Sequence, residues 1–141
     1  MTAEVLIPKL DSLARCLLRI EGKKPFTVQQ LNSDADLQDV ISVNLERAVQ
    51  QCVDIASMVL AEQNTPAPAT MAESFAVLAT LGWIAPETAR ALEKAVGFRN
   101  ISVHEYEKMD WAIAHAVCHR GLDDLRRFGR EVSARAGLTK G

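Results

Sequence analysis

The residues best suited to chemistry cluster in one polar segment, residues 98–110, which reads FRNISVHEYEKMD. It contains an arginine, Arg99, and a histidine, His104, which is one of three in the chain. It also contains the only tyrosine, Tyr106. A guanidinium can hold phosphate oxygens through its rigid fork and offset the negative charge that grows in a transition state. An imidazole titrates near neutral pH and can move protons. This pairing suits phosphate chemistry, although polar residues that only bridge two helices have the same composition.

Helical geometry limits which of these residues one helix can bring together. Arg99 and Tyr106 are seven residues apart, so an unbroken helix with 3.6 residues per turn would place them on nearly one face. His104 lies five residues after Arg99, about 140° round the axis, and would point elsewhere. Either the helix unwinds near His104, or another element or a second protomer completes the site.

Apolar periodicity predicts the helices that position this segment, beginning with two in the first half of the chain. The stripe of the first helix ends before Gly22 and consists of Leu6, Leu10, Leu13, Leu17 and Ile20. The second helix follows Ser33 or Asp34 as a possible cap, and its stripe is Leu37, Ile41, Leu45, Ala48, Cys52, Ile55 and Val59. The polar stretch between them predicts a connection with a short helical turn at 27–31.

Capping signals mark three further helices. Thr70 and Glu73 form a capping-box pattern ahead of a short third helix, which Gly82 closes. Pro86 suits the first turn of a fourth helix. Asp110 is a good cap for a fifth, with the stripe Ile113 or Ala114, Val117, Gly121, Leu125 and Phe128.

Nothing alternates with the period of a strand for long, so the sequence predicts an all-α fold, a bundle of four main helices plus a short one. We expect a single helical domain over residues 1–131 and a frayed C-terminal tail over residues 132–141. Apolar residues also lie off the main stripe of the second helix, at Val40, Val43, Val53 and Met58. A homodimer interface and a central helix packed on two sides would both account for them.

Composition narrows the class of protein. The chain of 141 residues is 48% hydrophobic and 5% aromatic, which excludes disorder and leans helical. No apolar run is long enough to span a bilayer, and the N-terminus lacks the cationic start of a signal peptide, so we expect a cytoplasmic protein without a membrane partner. Three cysteines without metal-ligand spacing predict buried, reduced, inert thiols: Cys16, Cys52 and Cys118.

Charge is distributed unevenly along the chain. Residues 1–86 carry 6 Lys/Arg against 10 Asp/Glu, and the remainder carries 10 against 8, for a net charge of −2. This excludes a protein that is basic all over, yet permits a local patch for a phosphate ligand. The candidates are Arg90, Lys94, Arg99, Arg120, Arg126, Arg127 and Arg130. His115 and His119 share a helix face and could chelate zinc, but no further ligand accompanies them, so we expect no metal and no cofactor.

The segment Arg99-Asn100-Ile101-Ser102-Val103-His104-Glu105-Tyr106 resembles the Arg-x4-His-x-Tyr signature of the HepT-like ribonucleases in the HEPN superfamily, including the asparagine after the arginine. The resemblance extends beyond this motif. LQDVISVNLERAVQQCVDIA (37–56) is similar to the long second helix of that family, APATMAESFAVLATLGWI (67–84) to the short helix that follows, and MDWAIAHAVCHRGLDDL to its last helix.

The resemblance implies the toxin of a bacterial toxin–antitoxin pair, an all-helical homodimer that cuts RNA, either tRNA or mRNA, without a metal. The RNA's own 2′-hydroxyl would attack the neighbouring phosphate and leave a 2′,3′-cyclic phosphate. On this reading His104 assists proton transfer, Arg99 stabilises the pentacoordinate phosphate, and Asn100 positions the substrate. An MntA-type nucleotidyltransferase antitoxin would transfer AMP from ATP to Tyr106, and DNA is not expected as a partner. The alternative is a non-catalytic HEPN-type subunit that binds and regulates such a nucleotidyltransferase.

Overall fold

The computed structural model describes residues 2–23 and 27–138, and within these ranges every regular element is helical. The elements are α1 (Thr2–Glu21), α2 (Val28–Ser33), α3 (Ala35–Ala61), α4 (Met71–Thr80), α5 (Pro86–His104), a 3₁₀ turn (Tyr106–Lys108), α6 (Trp111–Ala116), a π-helical turn (Val117–Gly121) and α7 (Leu122–Arg135). The all-α prediction is confirmed.

Helix α3 is the central element of the core. It packs most extensively against α1 and also contacts α2, α4, α5 and α7. Its main stripe is buried as predicted except for Leu37, which is half-buried at the start of the helix. Packing on more than one side also buries Val53 and half-buries Met58, whereas Val43 stays 39% exposed. Neighbours within the chain therefore cover part of the second apolar face of α3.

Local capping interactions start the helices where the sequence predicts them. The carboxylate of Asp34 accepts from the Leu37 N–H at 3.0 Å and begins α3, and Thr70 accepts from the Glu73 N–H at 3.0 Å and begins α4. The Glu73 carboxylate accepts from the N–H of Ala69 instead of Thr70, so this capping box is displaced by one residue. The predicted turn near residue 27 is the short helix α2.

The last helical rod differs from its prediction in register and length. The π-helical turn accommodates about one residue more than a turn of α-helix does. The buried face consequently passes through Cys118 and Leu122 rather than Val117 and Gly121, and it consists of Ala114, Cys118, Leu122, Leu125, Phe128 and Val132. Fraying was predicted from residue 132, whereas α7 continues to Arg135 because burial of Val132 holds its last turn on the core.

Each of the three cysteines is a buried thiol outside any disulfide, as predicted. Desolvation of the thiolate by burial raises the pKa of Cys52 far above its usual range, and burial also raises the pKa of Cys16. Across residues 2–23 and 27–138, no helix combines the length and apolar character needed to cross a membrane.

Candidate functional site at the end of α5

The C-terminal end of α5 lies against the first half of α3. The Ser102 hydroxyl, which is buried, donates a hydrogen bond to the Glu46 carboxylate. Beyond the end of α5, the Tyr106 hydroxyl donates to Asp39 Oδ1 at 3.4 Å. The two contacts run in opposite chain directions, so α3 and α5 are antiparallel here. They fix the polar segment to the central helix.

Arg99 lies on the last two turns of α5 and is half-buried. Its Nη1 donates to Asn100 Oδ1 at 3.4 Å. Its Nε is buried and has no hydrogen-bond partner among the described residues, and the ion pairs of the described residues do not include it. A buried guanidinium N–H without an acceptor is unusual, and the charge of Arg99, which has no carboxylate partner among the described residues, is left for an anionic ligand.

Helix α5 does not unwind before His104, which is its last residue. His104 is exposed and stays about 140° from Arg99 round the helix axis. Residues four apart share a face, so Arg99 lies above Val103 and Asn100 lies above His104. The motif therefore presents two adjacent faces, and one copy of α5 does not direct Arg99 and His104 at a common point. The helix does end at His104, one of the two possibilities that the spacing left open, but it ends after this residue, so its end does not turn His104 towards Arg99.

Tyr106 does not continue α5. The helix ends at Glu105, whose φ of −139° and ψ of 46° leave the helical region, and Tyr106 begins the 3₁₀ turn. The unbroken helix that would align Tyr106 with Arg99 is absent, so that expected alignment does not hold. The Tyr106 ring is 40% exposed and packs edge to face on Trp111, with centroids 5.7 Å apart. Its hydroxyl is directed at Asp39.

Apolar side chains surround the polar motif on the surface. Ile101 is 40% exposed and Val103 is 43% exposed, and both alternate with the motif residues along α5. Ile113 near the start of α6 is 53% exposed. A surface that combines exposed aliphatic side chains with Arg99 and His104 is typical of a binding face.

The basic residues that the sequence singled out divide between two grooves. Arg126 and Arg130 border an apolar groove of about 460 Å³ between α1 and α7. A larger groove of about 760 Å³ separates α5 from α6, the π-helical turn and α7, and four cations line it: Arg90, Lys94, Arg120 and Arg127. Its floor includes Phe98, the residue before Arg99, so this groove adjoins the motif.

The rings of His115 and His119 are stacked, with centroids 4.0 Å apart, and His119 Nδ1 lies 2.9 Å from the His115 carbonyl oxygen. In the part of the chain that the structure describes, no group of three or more His, Cys, Asp or Glu side chains is arranged to hold a metal ion.

The sequence did not predict two residues of the site. Asp39 and Glu46 contact the motif from α3, 67 and 56 residues away along the chain. Asp36, in the first turn of α3, and Asp39, just after that turn, are equally well explained by the positive end of the helix. No spacing pattern connects either carboxylate to Ser102 or Tyr106.

Comparison with known proteins identifies the class of protein to which this chain is similar and the family to which it belongs. An mRNA nuclease HepT of Shewanella oneidensis is 32% identical over 125 residues, which span 89% of this chain and 93% of the relative. The solved structure of a tri-AMPylated HEPN toxin from Shewanella oneidensis, in complex with an MNT antitoxin, superposes with a TM-score of 0.83 at 32% identity, covering 92% of this chain and 97% of that one.

A solved toxin–antitoxin complex with AMP-PNP gives a TM-score of 0.83 at 30% identity, over 93% of this chain and 98% of that one. The fold is thus that of HEPN toxins. Residues 12–132 match the ribonuclease HepT-like family, and the chain belongs to that family.

Proposed function

We propose that this protein is the cytoplasmic toxin of a bacterial toxin–antitoxin pair, a homodimeric endoribonuclease that cuts RNA without a metal ion. The observation that carries the proposal is Arg99, a cation with a buried, unpartnered Nε, on a helix end that also exposes His104. The nuclease activity named for one Shewanella oneidensis relative and the antitoxin bound in the solved structure of a HEPN toxin from that organism support it.

The proposed cleavage uses the RNA as its own nucleophile. The 2′-hydroxyl oxygen bonds to the neighbouring phosphorus while the 5′-oxygen of the next nucleotide leaves, which yields a 2′,3′-cyclic phosphate and a 5′-hydroxyl. His104 moves the protons, and Arg99 stabilises the extra negative charge on the pentacoordinate phosphate. Asn100, on the face of His104, positions the substrate.

A second protomer resolves the geometry of the motif. Because Arg99 and His104 of one α5 point about 140° apart, the proposed centre joins Arg99 of one protomer with His104 of the other across a two-fold axis. Val103, which shares the face of Arg99 and is 43% exposed, is an apolar side chain that such an interface would cover.

Tyr106 is the proposed site of inhibition. Its oxygen would bond to the α-phosphorus of ATP held by a nucleotidyltransferase antitoxin, and pyrophosphate would leave. The exposed position of Tyr106 outside α5 supports access by such an enzyme. The phosphate introduced two residues after His104 would repel an incoming RNA phosphate and obstruct the cleft.

Incubation of the purified protein with total RNA in excess chelator tests this function. Wild type should cut RNA and leave 5′-hydroxyl ends that a kinase labels directly, together with 3′ ends that a poly(A) polymerase cannot extend until the cyclic phosphate is removed. Arg99→Ala and His104→Ala should each lose at least about 100-fold in rate. His115→Ala is the matched control, because it removes a histidine outside the motif, and it should cut normally.

Cleavage that requires an added divalent metal would contradict the proposed mechanism. A protein that binds the nucleotidyltransferase but never cuts RNA would establish the alternative, a non-catalytic regulatory subunit.

A further inference from the structure

One exposed stripe of α5 connects the larger groove with His104. Successive steps of four and three residues define it, and every member is exposed: Arg90, Lys94, Gly97, Ile101 and His104. Arg90 and Lys94 are also groove-lining residues. The stripe is about 15 Å long from Lys94 to His104, at 1.5 Å per residue, which is a few nucleotides of a single strand.

The opposite wall of the groove carries a cation at the π-helical turn. Arg120 lies within that turn, lines the groove and is exposed. π-Helical turns inside α-helices are frequent at functional sites. Here the turn sets the register in which Arg120 faces the groove while Cys118 and Leu122 stay buried.

The groove keeps a positive charge after its own ion pairs are formed. Its acidic residues are Glu87, which pairs with Arg90 at 4.0 Å, and Asp124, which pairs with Arg127 at 3.1 Å. Lys94 and Arg120 take part in none of the ion pairs of the described residues. Two cations on facing walls thus remain for an external anion.

Gly97 has no structural requirement within the protomer. A Cβ at this position would meet nothing within 4 Å, and its φ is helical. Glycine inside a helix reduces stability relative to alanine, so the residue weakens α5 without relieving any contact. A missing side chain between Lys94 and His104 leaves room for a partner backbone to approach the helix.

We propose that Lys94 and Arg120 bind the phosphates of an RNA strand that lies in the α5–α7 groove and passes over Gly97 to the bond cleaved at His104. This inference rests on the proposed ribonuclease function and adds the path of the substrate. The unpaired cations favour a polyphosphate strand over a protein, because an apolar docking partner would leave both charges without acceptors.

Binding of a noncleavable RNA tests the path. The probe is a 2′-O-methyl 12-mer, and the variants are Lys94→Ala/Arg120→Ala and, as a matched removal of two exposed cations, Arg15→Ala/Arg19→Ala on α1. Removing one phosphate-binding cation lowers the slope of log affinity against log salt by about 0.7. The groove variant should therefore lose about 1.4 of slope and at least tenfold in affinity, and the α1 variant should match wild type.

A second measurement separates binding along the groove from chemistry. A dinucleotide is too short to fill the groove, so its cleavage rate reports the chemistry alone. When the rate for an unmodified 12-mer is divided by the rate for a dinucleotide, this ratio should be about tenfold lower in the groove variant than in wild type. Gly97→Ala should raise the thermal midpoint by about 2–3 °C and still weaken 12-mer binding.

Equal salt slopes and affinities for the groove and α1 variants would overturn the inference, while wild-type cleavage would leave the ribonuclease proposal intact. A groove variant that binds RNA normally but loses its dimer or its antitoxin would also overturn it, by identifying the groove as a protein interface. A wild-type protein that neither binds nor cuts RNA would contradict the proposed function itself.

Discussion

Ser102 and Glu46 are joined by a hydrogen bond between hydroxyl and carboxylate although 56 residues separate them in the chain. Ser102 lies between Arg99 and His104 on α5, and Glu46 lies on α3, the central helix of the core. This contact holds the last turn of α5 in the orientation that exposes His104.

Ser102→Ala should lower the free energy of unfolding by about 1–3 kcal/mol, because the partly buried Glu46 carboxylate loses its donor. RNA cleavage should fall as well, since the end of α5 is less firmly placed. Chemical denaturation and initial rates measure the two effects. Ser57→Ala, at an exposed site on α3, is the control, and equal behaviour of both variants would deny Ser102 its positioning role.

AMP on Tyr106 should disrupt its contacts with α3 and Trp111. The added phosphate is negative and would be repelled by Asp39, whose carboxylate lies 3.4 Å from the phenolic oxygen. The ring that packs on Trp111 should move, so the fluorescence of Trp111 should change on modification. A Trp83→Phe background isolates this signal.

Intact mass in the same experiment reports the number of AMP groups. Tyr106→Phe should acquire neither the mass of the first AMP nor the fluorescence change. A fully modified protein with unchanged Trp111 emission would show that Tyr106 keeps its place or is not the modified residue.

Stability should decline above about pH 9, because burial raises the pKa of Cys16 and Cys52 in the folded state. Below the unfolded-state pKa both states hold the thiol protons, and the full stability is present. As the pH rises above that value, the unfolded chain releases protons that the folded chain keeps, so unfolding becomes easier.

Thermal midpoints between pH 7 and pH 10.5 measure this decline. It should be shallower in Cys52→Ala, whatever the absolute midpoint of that variant. Parallel curves for wild type and Cys52→Ala would contradict the assignment to this thiol.

Gly82 and Gly97 should respond in opposite ways to alanine. Gly82 follows α4 with a φ of +83°, so Gly82→Ala should cost about 1–2 kcal/mol of unfolding free energy through backbone strain. Gly97→Ala should add about 0.5–1 kcal/mol, because its helical site is open. Urea unfolding of the two variants provides the comparison, and a destabilised Gly97→Ala protein would reveal an internal role for that glycine.

Prediction from the sequence succeeded where the determining interactions are local. Asp34, Thr70 and Asp110 each accept a backbone N–H two or three residues ahead, and this spacing is visible in the sequence. The long apolar stripe of α3 likewise marks the central helix.

Prediction from the sequence failed where the local structure depends on contacts between residues distant in the chain or on an irregular turn. The end of α5 at Glu105 carries neither Gly nor Pro, so the sequence left open whether the helix unwinds near His104 and did not place Tyr106 outside it. The extra residue of the π-helical turn shifted the buried face to Leu122. Gly121 is the only local trace of that turn, since a Cβ there would lie 3.2 Å from Val117 Cγ1.

The central claim is that Arg99 and His104 of different protomers form one RNA-cleaving centre, and mixing two inactive variants tests it most directly. Arg99→Ala and His104→Ala are unfolded together, refolded as an equal mixture and assayed on RNA in chelator. Half of the dimers then contain both variants and hold one intact centre each, so activity should recover to about a quarter of wild type. A mixture as inactive as either variant alone, beside an active wild-type control treated identically, would contradict the shared centre.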